Sequence, residues 1–199
     1  MKKAEVFEAA KTGIYPAGIT IKDLSEAKDS SGCTALHVAA FQGHLPPGTT
    51  VQELSSVSHA NGLTPLHIAC MEGKLPAETT AHDLANVRTQ DGHTALHTAA
   101  EFCHLPADTT IKDLLAVRDN NGKTAFDSLM DEKFLGFRDK AKTQIKQVLI
   151  ASAASAGVNC TSAQLREIGQ QLGKIHPVAT GQWLTTELIK RQNAKLRVP

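Results

Sequence analysis

The sequence predicts an all-α protein of stacked helical repeats, followed by a C-terminal helical segment. Three observations predict this fold class: a four-residue motif recurs every 30 residues, a tight-turn signal precedes each copy, and a helix-capping signal follows it. The motif is Thr-Ala-Leu-His or a close variant, and its copies begin at Thr34, Thr64, Thr94 and Thr124. One copy alone buries too little apolar surface to be stable, so a regular period of this kind indicates that the copies stack.

Each copy is predicted to begin with a tight turn and a first helix. Asn or Asp followed by Gly precedes three of the copies, as in Asn61-Gly62, and these residue types tolerate the positive φ angles of such turns. The motif threonine then serves as the N-cap, and Pro65 suits the first position of a helix. The first helices are expected to end in the left-handed conformation at Gly13, Gly43 and Gly73. Cys103 takes that place in the next copy, where a side chain costs about 1 kcal/mol if φ stays positive.

A second helix is predicted in each copy by a threonine that is followed three residues later by an acid. In such a capping box, the threonine hydroxyl accepts a hydrogen bond from a backbone amide of the first turn, and the acid accepts one from the threonine amide. The pairs are Thr20 with Asp23, Thr50 with Glu53, Thr80 with Asp83, and Thr110 with Asp113. Each copy is therefore expected to contain a turn, a helix, a Leu-Pro loop and a second helix.

This unit resembles the ankyrin repeat, whose core sequence is Gly-x-Thr-Pro-Leu-His-x-Ala-Ala. The resemblance covers residues 4–127 and implies an ankyrin-repeat solenoid of helix-turn-helix units with short hairpin-like turns. The repeat domain is expected at 1–130, with a partial repeat at 4–28, repeats near 29–58, 59–88 and 89–118, and a decayed copy at 119–130. The copies are shorter than the family's usual unit of about 33 residues, so short second helices are expected. Abbreviated copies look like variants found in bacterial proteins, which is compatible with an effector delivered into a host cell.

Residues 131–199 lose the period and are predicted to be helical. Helices are expected at 139–156, near 162–172 and at 180–196. The apolar side chains of the third helix are Trp183, Leu184, Leu188 and Ile189. Two roles stay open for the segment: a helical cap over the last repeat, or a small separate module.

The charge is distributed unevenly along the chain. Residues 128–199 hold 11 Lys and Arg against 5 Asp and Glu, whereas residues 1–127 hold 10 against 15. A basic cluster lies near the end of the chain, at Lys190, Arg191, Lys195 and Arg197. This cluster is either a solvated helix end that complements the helix dipole, or a binding site for nucleic acid or another acidic surface. Aromatic side chains that could stack on bases are nearly absent, so nucleic acid is not the expected partner.

The histidines predict structure rather than metal binding or catalysis. His37, His67 and His97 take equivalent positions in successive copies, and packed helices lie about 8–10 Å apart. The three side chains therefore cannot all lie at the distance of about 2 Å that one zinc ion requires. The resemblance implies that these histidines bond the neighbouring backbone and tie the repeats together, with Thr34, Thr64 and Thr94 as their caps. The sequence has no phosphate-binding loop, nucleophile elbow or His-Glu-x-x-His motif. No catalytic residue, metal or cofactor is therefore expected.

Cysteine usage and hydropathy predict a cytoplasmic protein. The four cysteines form no Cys-x-x-Cys pair and are expected to be free thiols in a reducing compartment. The N-terminal residues lack an apolar signal core, and no apolar run reaches the roughly 20 residues of a membrane-spanning helix.

The resemblance implies a monomeric scaffold or adaptor that binds another protein with its turn tips and the exposed side of its first helices. Helix ends that face solvent have no packing need for large apolar residues. The expected apolar anchors are Phe41, Leu63, Met71 and Phe102. The expected polar rim is Glu72, His93, Glu101 and Lys123, and Cys33 and Gln42 complete the predicted partner-binding set. The alternative is that the apolar residues pack on the loops of adjacent repeats.

Overall fold

The computed structural model describes residues 3–131 and 138–155, and within these ranges every regular element is an α-helix. The first helices of successive copies are α1 Lys3–Thr12, α3 Ala35–Gln42, α5 Pro65–Glu72, α7 Ala95–Glu101 and α9 Ala125–Leu129. The second helices are α2 Ile21–Glu26, α4 Val51–Ser55, α6 Ala81–Asn86 and α8 Ile111–Ala116, and α10 Arg138–Ser155 follows. The all-α prediction is thus confirmed for the described residues. None of their helices is both long enough and apolar enough to pass through a membrane.

The copies stack through their first helices. In order along the chain, α1, α3, α5, α7 and α9 each contact the next, and each second helix contacts the first helix that follows it. The core between them consists of equivalent leucines with small residues beside them, because alanines let neighbouring helices approach closely. The fully buried leucines are Leu24, Leu36, Leu54, Leu66, Leu84, Leu96 and Leu114. The core is therefore continuous from one copy to the next, and no copy encloses one of its own.

The predicted helix caps are present at both helices of the copies. Thr34, Thr64 and Thr94 are the N-caps of α3, α5 and α7, and Pro65 is the first residue of α5. All four acid-containing capping boxes of the second helices form, from Thr20 with Asp23 to Thr110 with Asp113. The second helices have only five or six residues, as the shortened copies predict.

The first helices end in the left-handed conformation at the predicted positions. Gly43 and Gly73, which follow α3 and α5, have φ angles of 72° and 65°. Cys103 keeps this conformation with a φ of 56°, and it is the one non-glycine residue with positive φ in the described part of the chain. Cys103 therefore carries the cost of about 1 kcal/mol that a side chain has at positive φ.

The helix α10 lies against the last complete copy. Its buried residues Val148, Leu149 and Ala153 belong to the same core as the repeats. The backbone amide of Ile111 at the start of α8 donates to Ser152 Oγ at 2.9 Å. At the equivalent place one copy earlier, the amide of Ala81 donates to the Asp108 carboxylate of the next copy, at 3.3 and 3.4 Å to its two oxygens. The serine of α10 therefore provides the acceptor that a following repeat would provide.

The bounds of α10 agree with the helix predicted at 139–156 to within one residue at each end. The helices predicted near 162–172 and at 180–196 lie outside the described residues, as does the basic cluster from Lys190 to Arg197.

Candidate partner-binding surface

The turns that carry the predicted rim are held in place by buried histidines. The backbone N–H of Thr34 donates to His37 Nδ1 at 3.2 Å, and the Thr34 hydroxyl lies 2.7 Å from the same nitrogen. A nitrogen that accepts from an amide carries no proton, so the ring proton lies on Nε2. His37 Nε2–H therefore donates to the carbonyl of Leu63, in the turn of the next copy, at 3.1 Å.

The same bond recurs in the following copies. His67 Nε2 donates to the carbonyl of His93 at 3.4 Å, and His97 Nε2 donates to the carbonyl of Lys123 at 2.9 Å. Burial lowers the pKa of all three rings, and that of His67 falls to about 4. The rings are thus neutral near pH 7 and join each first helix to the next turn.

The last copy keeps the cap but lacks the link to a following copy. Asp127 stands in the place of the histidine, and the Thr124 amide donates to its Oδ2 at 2.8 Å. A carboxylate has no N–H with which to reach a further turn. The row of histidine bonds therefore ends at α9.

Four half-buried ionisable residues and the buried Ser128 form one group between the last two turns. Glu101 lies 3.6 Å from His93 Nε2 on one side and 3.6 Å from Lys123 Nζ on the other. Lys123 Nζ also lies 3.1 Å from Asp131 Oδ2, and the Ser128 hydroxyl donates to Glu101 Oε1 at 3.2 Å. Burial alone would raise the pKa of Glu101, but His93, Lys123 and Ser128 outweigh it and lower that pKa. We call these five residues the ionic half of the turn-side surface.

The ionic half indicates where the equivalent residues of earlier copies lie. Glu101 bridges the turn of its own copy and the turn of the next one. Because the copies repeat every 30 residues, Met71 takes the corresponding place between Leu63 and His93, and Phe41 takes it between Cys33 and Leu63. The ionic positions of the last copies are thus apolar in the earlier ones.

Apolar residues make up the surface in these earlier copies. Phe41 is 58% exposed, while Leu63, Met71 and Cys33 are half-buried. Val38 and Ile68 lie three residues before Phe41 and Met71 on α3 and α5, so they share the same helix face, and both are half-buried. The apolar half of the turn-side surface is defined as Cys33, Val38, Phe41, Leu63, Ile68 and Met71.

The remaining predicted residues lie one position further along the helices. Gln42 and Glu72 are exposed, and Phe102 is the half-buried C-cap of α7. One residue of an α-helix is a rotation of about 100°, so Phe102 falls in the row of Gln42 and Glu72 and outside the row of Phe41 and Met71. By this register, Phe102 does not share the row of the other apolar anchors.

Sequence reasoning missed two parts of this surface. The predicted set does not include Val38 and Ile68, although their spacing to Phe41 and Met71 is a signal that identifies them. Glu101 contacts His93 and Lys123, which are 30 positions apart in the sequence, and Lys123 contacts Asp131. No local sequence pattern predicts these contacts.

The turns are more widely separated beside the apolar half. The third turn bonds the second through the amide of Gln90 and the carbonyl of Asn61, at 3.1 Å, and the fourth bonds the third through Asn120 and Asp91, at 2.9 Å. In the described part of the chain, no such bond joins the turn at 29–32 to the turn at 59–62. A methyl group placed on Gly32 would meet nothing within 4 Å. The first two turns therefore leave open space beside Gly32.

Two open clefts, of about 380 and 330 Å³, lie beside α10, and the larger one is also lined by the Leu75-Pro76 and Leu105-Pro106 loops. Cys103 and Gln144 line both of them, and neither contains a residue of the apolar or ionic half. Burial raises the pKa of the Cys103 thiol, although Lys140 acts in the opposite direction. The thiol is thus protonated near pH 7 and is a poor nucleophile.

Among the described residues, no group of three or more His, Cys, Asp or Glu side chains could hold a metal ion. No known family of proteins matches the chain, and no curated protein is significantly similar to it.

Proposed function

We propose that this chain is a non-enzymatic scaffold of the ankyrin-repeat type, which binds a partner protein on the turn-side surface. The feature that supports the proposal is the apolar half, in which Phe41 is exposed, Leu63 and Met71 are half-buried, and the register of the copies puts Phe41 between the turns of Cys33 and Leu63. Contiguous apolar side chains on a soluble surface are typical of interaction sites. Aromatic and methionine side chains are also enriched at the centres of protein interfaces.

The ion pairs of the ionic half support different roles for the two halves of this surface in binding. Glu101 and Asp131 are both paired with Lys123 within the chain, so a partner would have to break existing ion pairs before it could use these charges. Phe41 and Met71 make no such bonds and are covered at no electrostatic cost. The apolar half is therefore the proposed source of affinity, and the ionic half is the proposed rim.

The use of the histidines and cysteines supports a role without catalysis. The three histidines of the motif are neutral near pH 7 and hydrogen-bonded at both nitrogens. Burial raises the pKa of the Cys70 and Cys103 thiols, which keeps both protonated.

The proposal is tested by replacing Phe41 and Met71 with glutamine. Glutamine is a good helix former, so neither α3 nor α5 should lose stability beyond a few tenths of a kcal/mol. In affinity capture from the source organism, the proteins retained by the wild type should be lost with the double variant. Ile14 is 74% exposed and lies outside the surface, so Ile14→Gln is the matched control and should retain the same proteins.

Two results would contradict the proposal. One is a double variant that captures the same proteins as the wild type. The other is a loss of more than about 2 kcal/mol of unfolding free energy for each substitution, which would identify Phe41 and Met71 as core residues.

A further inference from the structure

We propose that residues 180–199 of this chain bind the apolar half of the turn-side surface in the same molecule, so that a partner must displace them. The inference rests on the proposed function, because it assigns an internal competitor to the proposed binding surface. The segment comes after α10 in the chain. The helix α10 itself contacts α8 and the Leu105-Pro106 loop. In the described part of the chain, none of the hydrogen bonds of α10 reaches the apolar half.

The composition of the segment complements the surface. Residues 180–199 contain apolar side chains at helical spacing, among them Trp183, Leu184, Leu188 and Ile189, and Trp183 is the one tryptophan of the whole chain. They also hold four basic residues against the single acid Glu187. An apolar stripe with a basic end matches an apolar surface whose flanks carry an excess of carboxylates.

The flanks of the turn-side surface have that excess. Glu8 and Lys11 of α1 are equivalent in register to Val38 and Phe41, and both are exposed. Glu72, next to Met71, is exposed as well. With the ionic half included, the surface carries four carboxylates and two lysine ammonium groups, the carboxylates being Glu8, Glu72, Glu101 and Asp131. The surface is thus net acidic where the segment is net basic.

The intervening chain is long enough to make the connection. Residues 156–179 separate α10 from the segment. With the helix expected near 162–172 rising about 1.5 Å per residue and the remaining residues extended, this stretch can span up to about 60 Å. Five first helices packed about 10 Å apart extend over about 40 Å. A tether of this kind gives an effective concentration of about 1 mM, so even a weak contact would be occupied in the free protein.

Trp183 makes the proposal directly measurable in the full-length chain, because its fluorescence reports on a single site. In the wild type, we expect a blue-shifted emission and weak quenching by acrylamide. Phe41→Gln combined with Met71→Gln should shift the emission to the red and raise the quenching constant several-fold, with no change in helical circular dichroism. Ile14→Gln, outside the surface, should leave both signals unchanged.

Other occupants give different results, and each of them would overturn the proposal. A red shift with Ile150→Gln and none with the double variant would place Trp183 on α10, where Ile150 is 47% exposed. A signal that varies with protein concentration would identify a second copy of the chain as the occupant. If the Trp183 emission is unchanged in the double variant but shifts when a short DNA duplex is added at low salt, the basic end of the segment binds nucleic acid.

The two proposals fail in distinguishable ways. If Trp183 does not respond to the double variant while affinity capture is lost, the surface binds a partner and the internal competitor is absent. If Trp183 responds and capture is unchanged, the segment occupies the surface but the captured proteins bind elsewhere.

Discussion

At the scale of single residues, Cys103 carries a measurable local cost. It follows Phe102, the C-cap of α7, and has a φ of 56°, whereas Gly43 and Gly73 are themselves the C-caps of α3 and α5, at 72° and 65°. A Cβ atom in this region clashes with the backbone, and glycine avoids the clash because it has none. The strain is therefore intrinsic to the backbone and does not depend on which side chain is present.

We predict that Cys103→Gly unfolds at a free energy about 1 kcal/mol higher than Cys103→Ala. Comparing these two variants isolates the backbone effect, since both remove the sulfur. The check is chemical denaturation followed by circular dichroism. At the exposed Lys112 of α8, the order should reverse, with alanine favoured over glycine by about 1 kcal/mol. Equal stability of the two Cys103 variants would mean that the loop relaxes its φ angle.

At the scale of helices, the sequence predicted most of what is local. The capping boxes, Pro65 at the start of α5 and the left-handed helix ends each depend on residues within one turn of each other. The ionic half was not predictable in this way, because His93, Glu101 and Lys123 come together only when two copies stack. The capping of α8 by Ser152 was missed for the same reason, since 41 residues separate Ser152 from Ile111.

We predict that Ser152→Ala destabilises the protein by about 1–3 kcal/mol, because it leaves the buried amide of Ile111 without an acceptor. Thermal and urea unfolding of the full chain would measure the loss. Ser155, exposed at the end of α10, provides the control, and Ser155→Ala should change the stability by no more than about 0.5 kcal/mol. Equal effects of the two substitutions would show that the contact between α10 and α8 contributes no stability.

At the scale of the whole molecule, the histidine bonds make the stack sensitive to acid. His37, His67 and His97 each join one copy to the next, so the three bonds connect α3 through to the turn before α9. Their pKa values are lowered in the folded chain, chiefly by burial. Well above the unfolded pKa of about 6.5, histidine is neutral in both folded and unfolded chains and contributes no pH dependence. As the pH falls, the imidazole rings bind protons in the unfolded chain, but in the folded chain they stay neutral because their pKa values are lower.

We predict that the free energy of unfolding falls as the pH is lowered from 6.5 towards 4. With a folded pKa of about 4, His67 alone accounts for about 2 kcal/mol between pH 6.5 and pH 5. Urea unfolding at pH 7, 6 and 5 measures the slope, which should be shallower for His67→Gln. Glu101, with its lowered pKa, adds a loss of stability only at lower pH. A wild type and a variant with equal slopes would contradict this prediction.

Asp127 determines how far such an array can be extended. If another copy were inserted directly after α9, the carboxylate of Asp127 would meet a carbonyl oxygen of the added turn, and two acceptors would face each other without a hydrogen atom between them. Anyone lengthening this protein would first have to restore an imidazole at position 127. A single side chain thus limits the number of units that can be joined in sequence.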